Sequence, residues 1–432
     1  MQSFNKGLDK FQAYLEKWIS PIAARMGQSV LLTSIKEGMI STLPFLILGS
    51  LFSIITSFPY TPWTTWLAKQ GFTEFLNLPY QFTMNTLGII VAFFTARAYA
   101  KAKQSDTAVL PVLAVVVMFI LAPLHSFNVN KVATLFIGFE NIGVKGLFMA
   151  LLVALMVGSA YVHIIKANWT IKMPDGVPST ISESFKSLVP VIIISTVALV
   201  IRYLFSLTSF GDLNTAIYSM LQMPLMKIGT SPWAIALVVL LNSLFFFFGI
   251  HSLAINSIVM PVLYALDFQN LAAYKLGHAI PNIVTWRFFY MTSKIGGTGC
   301  ALGLVIFLAF FAKSKQFKTL GRISLPAVIF NTDEPVIFGM PIALNPIMFI
   351  PFVLAPLVSF GLSYGATVVG WVKPVIGLAL PEQTPVILTG LLQSGPAFAI
   401  LQVIVIIITS LIYLPFARIA DKQALANEQQ DK

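Results

Sequence analysis

Residues 330–346 read FNTDEPVIFGMPIALNP. Two adjacent carboxylates, Asp333 and Glu334, stand inside an otherwise apolar stretch punctuated by Asn, Pro and Gly. A carboxylate buried in a membrane is costly and marks a functional site. The competing reading places the pair in a cytoplasmic loop just after Arg322. Pro335 suits the first turn of a helix, which puts Glu334 near an N-cap. Glu334 is therefore a candidate general base, with burial and the helix N-terminus acting on it in opposite senses. Asp333 is expected to cap or pair locally. Asn331 can either hydrogen-bond a bound substrate or cap a turn.

The rest of the chain explains why this stretch lies in a membrane. Hydrophobic residues make up 57% of the 432 and charged residues 10%, against roughly 45–50% and about 25% in soluble proteins. So few charges cannot cover that much apolar surface. A disulfide scaffold, a disordered chain and a soluble α/β enzyme are excluded. Long unbroken apolar runs without alternation argue against a β-barrel. The expected fold is an all-α polytopic membrane protein with about ten transmembrane helices and re-entrant hairpins in its C-terminal half.

The net charge of +11 comes from basic residues in short loops between apolar runs. This is positive-inside patterning and attraction to anionic lipid, and no basic patch interleaved with aromatics suggests nucleic acid. Lys6 to Lys36, Arg97 to Lys103, Lys166 with Lys172, Lys313 to Arg322, and Arg418 with Lys422 all read as cytoplasmic. Both termini are then inside. Residues 1–28 form an amphipathic segment, with Phe4, Leu8, Phe11, Leu15 and Trp18 on one helical face. Residues 29–206 carry plain spans and read as a scaffold and dimerisation half. Residues 207–230 are a connecting amphipathic segment, 231–418 the substrate-binding transport half, and 419–432 a cytoplasmic tail.

Spans are expected near Met39–Phe58, Gln81–Ala100, Val109–Leu124, Gly146–Ile165, Leu188–Phe205 and Pro232–Ile250. From Ser252 to Pro396 the runs are short and broken. Irregular backbone is tolerated at membrane depth only where it is buried in protein or lines a cavity, and transporters place substrate at such breaks. Residues 296–303 read GGTGCALG. This is not a dinucleotide fingerprint, and its small residues suit a tight re-entrant turn or close helix packing. Lys294 before it either snorkels or pairs a carboxylate. His251 ends the sixth span, with Asn256 five residues on, and is a candidate site residue beside the bland reading of a satisfied interface histidine. Arg97 is either an inside anchor or a polar contact reaching the substrate cavity. The single cysteine, Cys300, allows no internal disulfide, and no Cys/His spacing suggests a metal.

At these residues the chain resembles the permease subunit, enzyme IIC, of the phosphoenolpyruvate-dependent sugar phosphotransferase system, in its lactose/cellobiose/chitobiose branch. The resemblance covers nearly the whole chain. It is carried by Lys172–Pro190, by Phe248-Gly249-Ile250-His251, by Gly296–Leu304, and by Phe330–Pro346 followed by Pro351-Phe352. The most specific string is Asn-x-x-Glu-Pro-x-x-Phe-Gly-x-Pro, from Asn331 to Pro341. The resemblance implies a homodimer joined through the first half, and a second half that carries a β-linked disaccharide. It implies that His251 and Glu334 hydrogen-bond the sugar 6-hydroxyl and that a separate enzyme IIB delivers phosphate from a phosphocysteine. It implies no cofactor or metal. The family commonly has Ile-Asn before its glutamate, where this chain has Thr332-Asp333. It also has a tryptophan that can stack a sugar ring, a role that falls here to Phe398 or is lost. The alternative is a proton-coupled secondary transporter that releases unmodified sugar, its proton carried by Glu334 or Asp333.

Overall fold

A computed structural model describes residues 28–56, 61–106, 108–129, 132–174, 176–247, 253–340, 342 and 345–430. The chain forms two compact units, one of Gln28–Lys227 and one containing Ile228–Lys432. The amphipathic face expected at residues 4–18 lies outside the described residues.

In the first unit, Ser29 opens helix Val30–Ser41 by accepting the Leu32 N–H at 3.4 Å. The chain passes through Thr42, whose hydroxyl donates to the Met39 carbonyl at 2.6 Å, into helix Leu43–Thr56. Helix Leu87–Ala102 packs along Val30–Ser41 where Gly38 lets the backbones meet. A methyl group at Gly38 would lie 2.7 Å from the Thr95 Cα. Such small-residue contacts hold helices together where lipid supplies no hydrophobic drive.

Side chains also complete both ends of helix Val109–Leu121. At its start, Asp106 accepts from the Ala108 and Val109 N–H groups at 2.7 and 3.0 Å. The Tyr161 hydroxyl of helix Leu147–Lys166 donates to the same carboxylate at 3.3 Å. At its end, Arg202 of helix Ser179–Ser206 donates to the Ile120 and Ala122 carbonyls. The orphan groups of a helix terminus are thereby met without water.

One element departs from an all-helical reading. His125–Val129 and Val132–Phe136 pair as an antiparallel two-stranded sheet, with His125 opposite Phe136 and Phe127 opposite Thr134. The connecting segment forms helix Leu213–Ile217, a π-helical turn Tyr218–Gln222, and helix Met223–Gly229. Asp212 caps its start by accepting the Thr215 N–H at 2.8 Å, and buried Asn214 ties it to the Asn141 carbonyl at 3.2 Å.

Five helices among the described residues are long and apolar enough to cross a membrane: Val30–Ser53, Leu147–Lys166, Ile181–Ser206, Ile347–Val368 and Pro396–Gln430. Other expected spans are shorter. Leu87–Ala102, Val109–Leu121 and Pro232–Phe247 hold 16, 13 and 16 residues, against about 20 for an unaided crossing.

In the second unit the final helix, Pro396–Gln430, packs against Pro346–Val368, Leu302–Phe311 and Val386–Ser394. Past Arg418 it stays helical and reaches back to residues 313–316. Buried Asp421 accepts from the Lys313 and Ser314 N–H groups, both at 2.9 Å. Glu428 accepts from the Ser314 hydroxyl at 2.7 Å and from the Gln316 and Lys315 N–H groups at 2.8 and 3.1 Å. Two carboxylates thus cap the start of helix Lys315–Ile329, the end where negative charge is favoured.

Two predictions follow from this packing. Gly38→Ala should overpack the contact with Thr95, a change that costs about 1–3 kcal/mol, and lower the thermal unfolding midpoint in detergent. Gly361→Ala, where an added methyl meets open space, should leave the midpoint level or raise it. Equal midpoints for the two variants would refute the close contact.

The Gln316 N–H, the Ser314 hydroxyl and the Lys315 N–H hold the Glu428 carboxyl below its ordinary value. A depressed carboxylate contributes above its unfolded pKa, about 4.3 for Glu, and its contribution is lost as pH falls through the folded value. Amide exchange at Lys315 and Gln316, corrected for intrinsic rates, should therefore stay slow at neutral pH and quicken in acid. Glu428→Gln should show the quickened exchange already at pH 7. Identical exchange in the variant and the parent would remove Glu428 from the cap.

Candidate functional site

The second unit contains three places where the backbone leaves regular helix among buried residues. Helix Trp286–Ser293, capped by Thr285, which accepts the Phe288 N–H at 3.2 Å, ends at Lys294. The chain then turns through Gly296, Gly297 and Gly299, at φ of 72°, 96° and 81°, and enters helix Leu302–Phe311. The second break follows helix Lys315–Ile329, where Asn331 adopts φ 57° before the short helix Glu334–Gly339. The third is the non-helical run from residue 373 to 385 ahead of helix Val386–Ser394.

The Asn331 carboxamide joins all three. Its Oδ1 accepts the Gly296 N–H at 3.0 Å, and its Nδ2 donates to the Glu382 and Thr384 carbonyls, each at 3.0 Å. Both Nδ2 hydrogens are spent in this arrangement, which leaves a lone pair on Oδ1. Beside it, buried Asp333 lies directly over Gly297, where a methyl group would come 2.7 Å from Oδ1 of the carboxylate. Lys294 is electrostatically coupled to the Glu382 and Asp333 carboxylates, and its Nζ lies 5.4 Å from the centre of the Tyr290 ring. Of its two sequence readings, the structure favours pairing.

More amides, one carboxylate and one guanidinium brace the surroundings. Asn270 accepts the Asn282 N–H at 3.0 Å and donates to the Asn282 and Val375 carbonyls at 2.7 and 2.8 Å. Gln393 accepts from the Gly377 and Leu378 N–H groups, both at 3.1 Å, and donates to the Leu378 carbonyl at 2.6 Å. Asp267, buried on helix Leu253–Lys275, accepts the Arg287 N–H at 3.1 Å. The Arg287 guanidinium donates to the Leu380 carbonyl at 2.6 Å.

The residues singled out in the sequence fall as follows. Glu334 begins the short helix with Pro335 in its first turn and Asp333 at its N-cap; its side chain lies outside the described residues, as does the whole of His251. Asn331 is the junction itself. Asn256 is buried and accepts from Asn242 Nδ2 at 2.9 Å, so its hydrogen bond goes to a neighbouring helix rather than to the Asn331 cluster. Arg97 is exposed on helix Leu87–Ala102 of the other unit. Phe398 is fully buried, packed edge-to-face on Phe288 at 6.3 Å, and is a core residue rather than a platform for a sugar. Sequence reasoning passed over Asp267, Asn270 and Arg287. Their signal was present: Asp267 and Asn270 stand three apart on one helical face within an apolar run, and Arg287 interrupts a run of aromatics. Among the described residues, no three His, Cys, Asp or Glu side chains converge on a metal-sized site.

The family model described as "Phosphotransferase system, EIIC" matches residues 36–356. The chain belongs to the EIIC family. It is an integral-membrane sugar permease component, mostly helical, and the proton-coupled alternative is not favoured. Similar EIIC proteins include the putative permease IIC component YwbA of Bacillus subtilis, 32% identical over 98% of each chain. The cellobiose-specific EIIC component of Geobacillus stearothermophilus is 33% identical over 98% of this chain and 97% of its own. Among solved structures, ChbC, the IIC component of the N,N'-diacetylchitobiose-specific phosphotransferase system, superposes with a TM-score of 0.91. It is 33% identical, over 96% of this chain and 99% of that one.

The junction itself is open to test in this EIIC chain. Asn331→Ala should lose the three bridging bonds and also strain the backbone, since a left-handed residue with a Cβ costs about 1–2 kcal/mol. Asn331→Gly loses the bonds but not the freedom to adopt φ 57°. The unfolding midpoint should therefore fall in both variants and fall further in the alanine one. A midpoint unchanged in both would show that the carboxamide does not hold the breaks together.

Proposed function

We propose that this permease binds a β-linked disaccharide such as cellobiose or diacetylchitobiose and presents its 6-hydroxyl for phosphorylation by a separate phospho-enzyme IIB during uptake. The observation that carries the reading is the position of Glu334. It starts a helix immediately after the Asn331 junction, where three backbone breaks of one unit meet. A carboxylate there can accept the hydroxyl proton as phosphate arrives, and His251 would hold the same hydroxyl. On the same reading Asn256, on helix Leu253–Lys275, is a further sugar contact of this unit. The names of the cellobiose-specific relative and of ChbC support the substrate class. The lactose-specific EIICB component of Streptococcus mutans, 29% identical over 74% of its own length, carries the B component on the same chain and supports a IIB partner.

On this reading, residues 29–206 form the scaffold through which two copies pair, and 231–418 form the transport half. Ten crossings, with re-entrant hairpins built on the breaks, leave both termini on the cytoplasmic side of a bacterial plasma membrane. Lys313, Lys315, Lys318 and Arg322 then lie on the face that IIB approaches, where positive charge steers a phosphoprotein.

The test is a vesicle loaded with enzyme IIB, the upstream phosphocarriers and phosphoenolpyruvate, with identification of the internal product. Sugar phosphate is expected; free sugar would overturn the reading. In the same vesicles Glu334→Gln should lower phosphorylation by about 10²–10⁴-fold while sugar binding stays close to wild type. Turnover near the wild-type rate would take the proton-accepting role away from Glu334.

A further inference from the structure

Arg287 has a role beyond bracing that follows from how its guanidinium is used. The side chain is 5% exposed. Nη1 donates to the Leu380 carbonyl at 2.6 Å, the Asp267 carboxylate attracts its charge, and the group lies 5.8 Å from the centre of the Tyr264 ring. Nη2 is buried and has no hydrogen-bond partner among the described residues. A buried donor left unmet is expensive, and arginine offers five donors and no acceptor. Water or a bound ligand can supply the acceptor.

The surroundings say what kind of group that is. Arg287 lines a small cleft with Tyr290, Leu380, Glu382, Thr389 and Gln393. Both polar ends of Gln393 are spent on the backbone of residues 377 and 378. The Thr389 hydroxyl donates to the Val386 carbonyl. The cleft therefore offers a cationic donor, Arg287 Nη2, and an anionic acceptor, the Glu382 carboxylate. A group that satisfies both must accept and donate through one atom. A hydroxyl does so, accepting from Nη2 and donating to the carboxylate, whereas a carbonyl or an N-acetyl oxygen only accepts. The cleft is also tied to the Asn331 junction, because Asn331 holds the Glu382 carbonyl at 3.0 Å.

We propose that Arg287 and Glu382 form a subsite that grips one substrate hydroxyl, other than the reacting 6-hydroxyl, between a donor and an acceptor, and so set which sugar this permease accepts. The inference rests on the sugar-binding reading above. Water has the same chemistry as the hydroxyl, and the experiment separates the two sources.

Binding of the parent disaccharide and of its monodeoxy analogues is measured by calorimetry on the full chain in detergent. In wild type, one analogue besides the 6-deoxy sugar should bind about 10–100-fold more weakly, because a site built to hydrogen-bond a hydroxyl rejects the sugar that lacks it. Arg287→Lys, which keeps the charge beside Asp267, should shrink that one penalty to about two-fold or less. Glu382→Gln should shrink the same one. The penalty for the 6-deoxy sugar should persist in both. A wild type in which every analogue except 6-deoxy binds like the parent overturns the proposal without any variant, and assigns the cleft to water. A penalty that survives in both variants overturns it as well and leaves Arg287 as a brace. A wild type that binds no disaccharide at all overturns the sugar-binding reading first, and this inference with it.

Discussion

A chain embedded in lipid can leave helical geometry only where something takes up the backbone groups it frees, and here one carboxamide does so at three places together. Asn331 meets an N–H of the glycine turn and two carbonyls of the extended run before helix Val386–Ser394. An amide suits this work because it carries donors and acceptors on one neutral group. A charged side chain in the same place would add the cost of burying an ion. Asn270 and Gln393 repeat the solution a short way along the chain, and Gln402 does so again by accepting the Gly390 N–H at 3.0 Å. The charged residues Asp267, Arg287, Lys294 and Glu382 lie among these amides, so their positions depend on a frame that is itself uncharged.

The two units solve the same backbone problem differently. Between Gln28 and Lys227 the side-chain bonds cluster at helix ends, as with Asp106 and Arg202 around Val109–Leu121. The longer helices there, Leu147–Lys166 and Ser179–Ser206, run for 20 and 28 residues. In the other unit the bonds support irregular segments between short helices. Regular helices joined by caps make a stiff body, and short pieces pinned by amides make one that can hold chemistry at its breaks.

Much of this was legible in the sequence. The membrane class followed from so apolar a composition, and the breaks at 296–299 and 331–335 were visible because Gly, Asn and Pro mark them. Pro335 correctly placed Glu334 at a helix start. What each amide would bond was not legible. Asn331 reaches partners 35 to 53 residues away, and no local periodicity encodes such a pairing. The strand pair at 125–136 was hidden by its shortness, within a connection between two spans. Of the two outcomes the sequence leaves open for ring stacking, only the fold bears on Phe398, because Phe288 already covers it.

The cap on helix Lys315–Ile329 has a consequence for biosynthesis. Its first turn emerges from the ribosome with exposed N–H groups, and the glutamate that accepts from Lys315 is made 113 residues later. Until then the turn has only the Ser314 hydroxyl, which accepts the Phe317 N–H at 3.2 Å. The segment that leads to Asn331 therefore receives this fastening only after 113 further residues have been made. Closure of this cap accordingly waits on the far end of helix Pro396–Gln430.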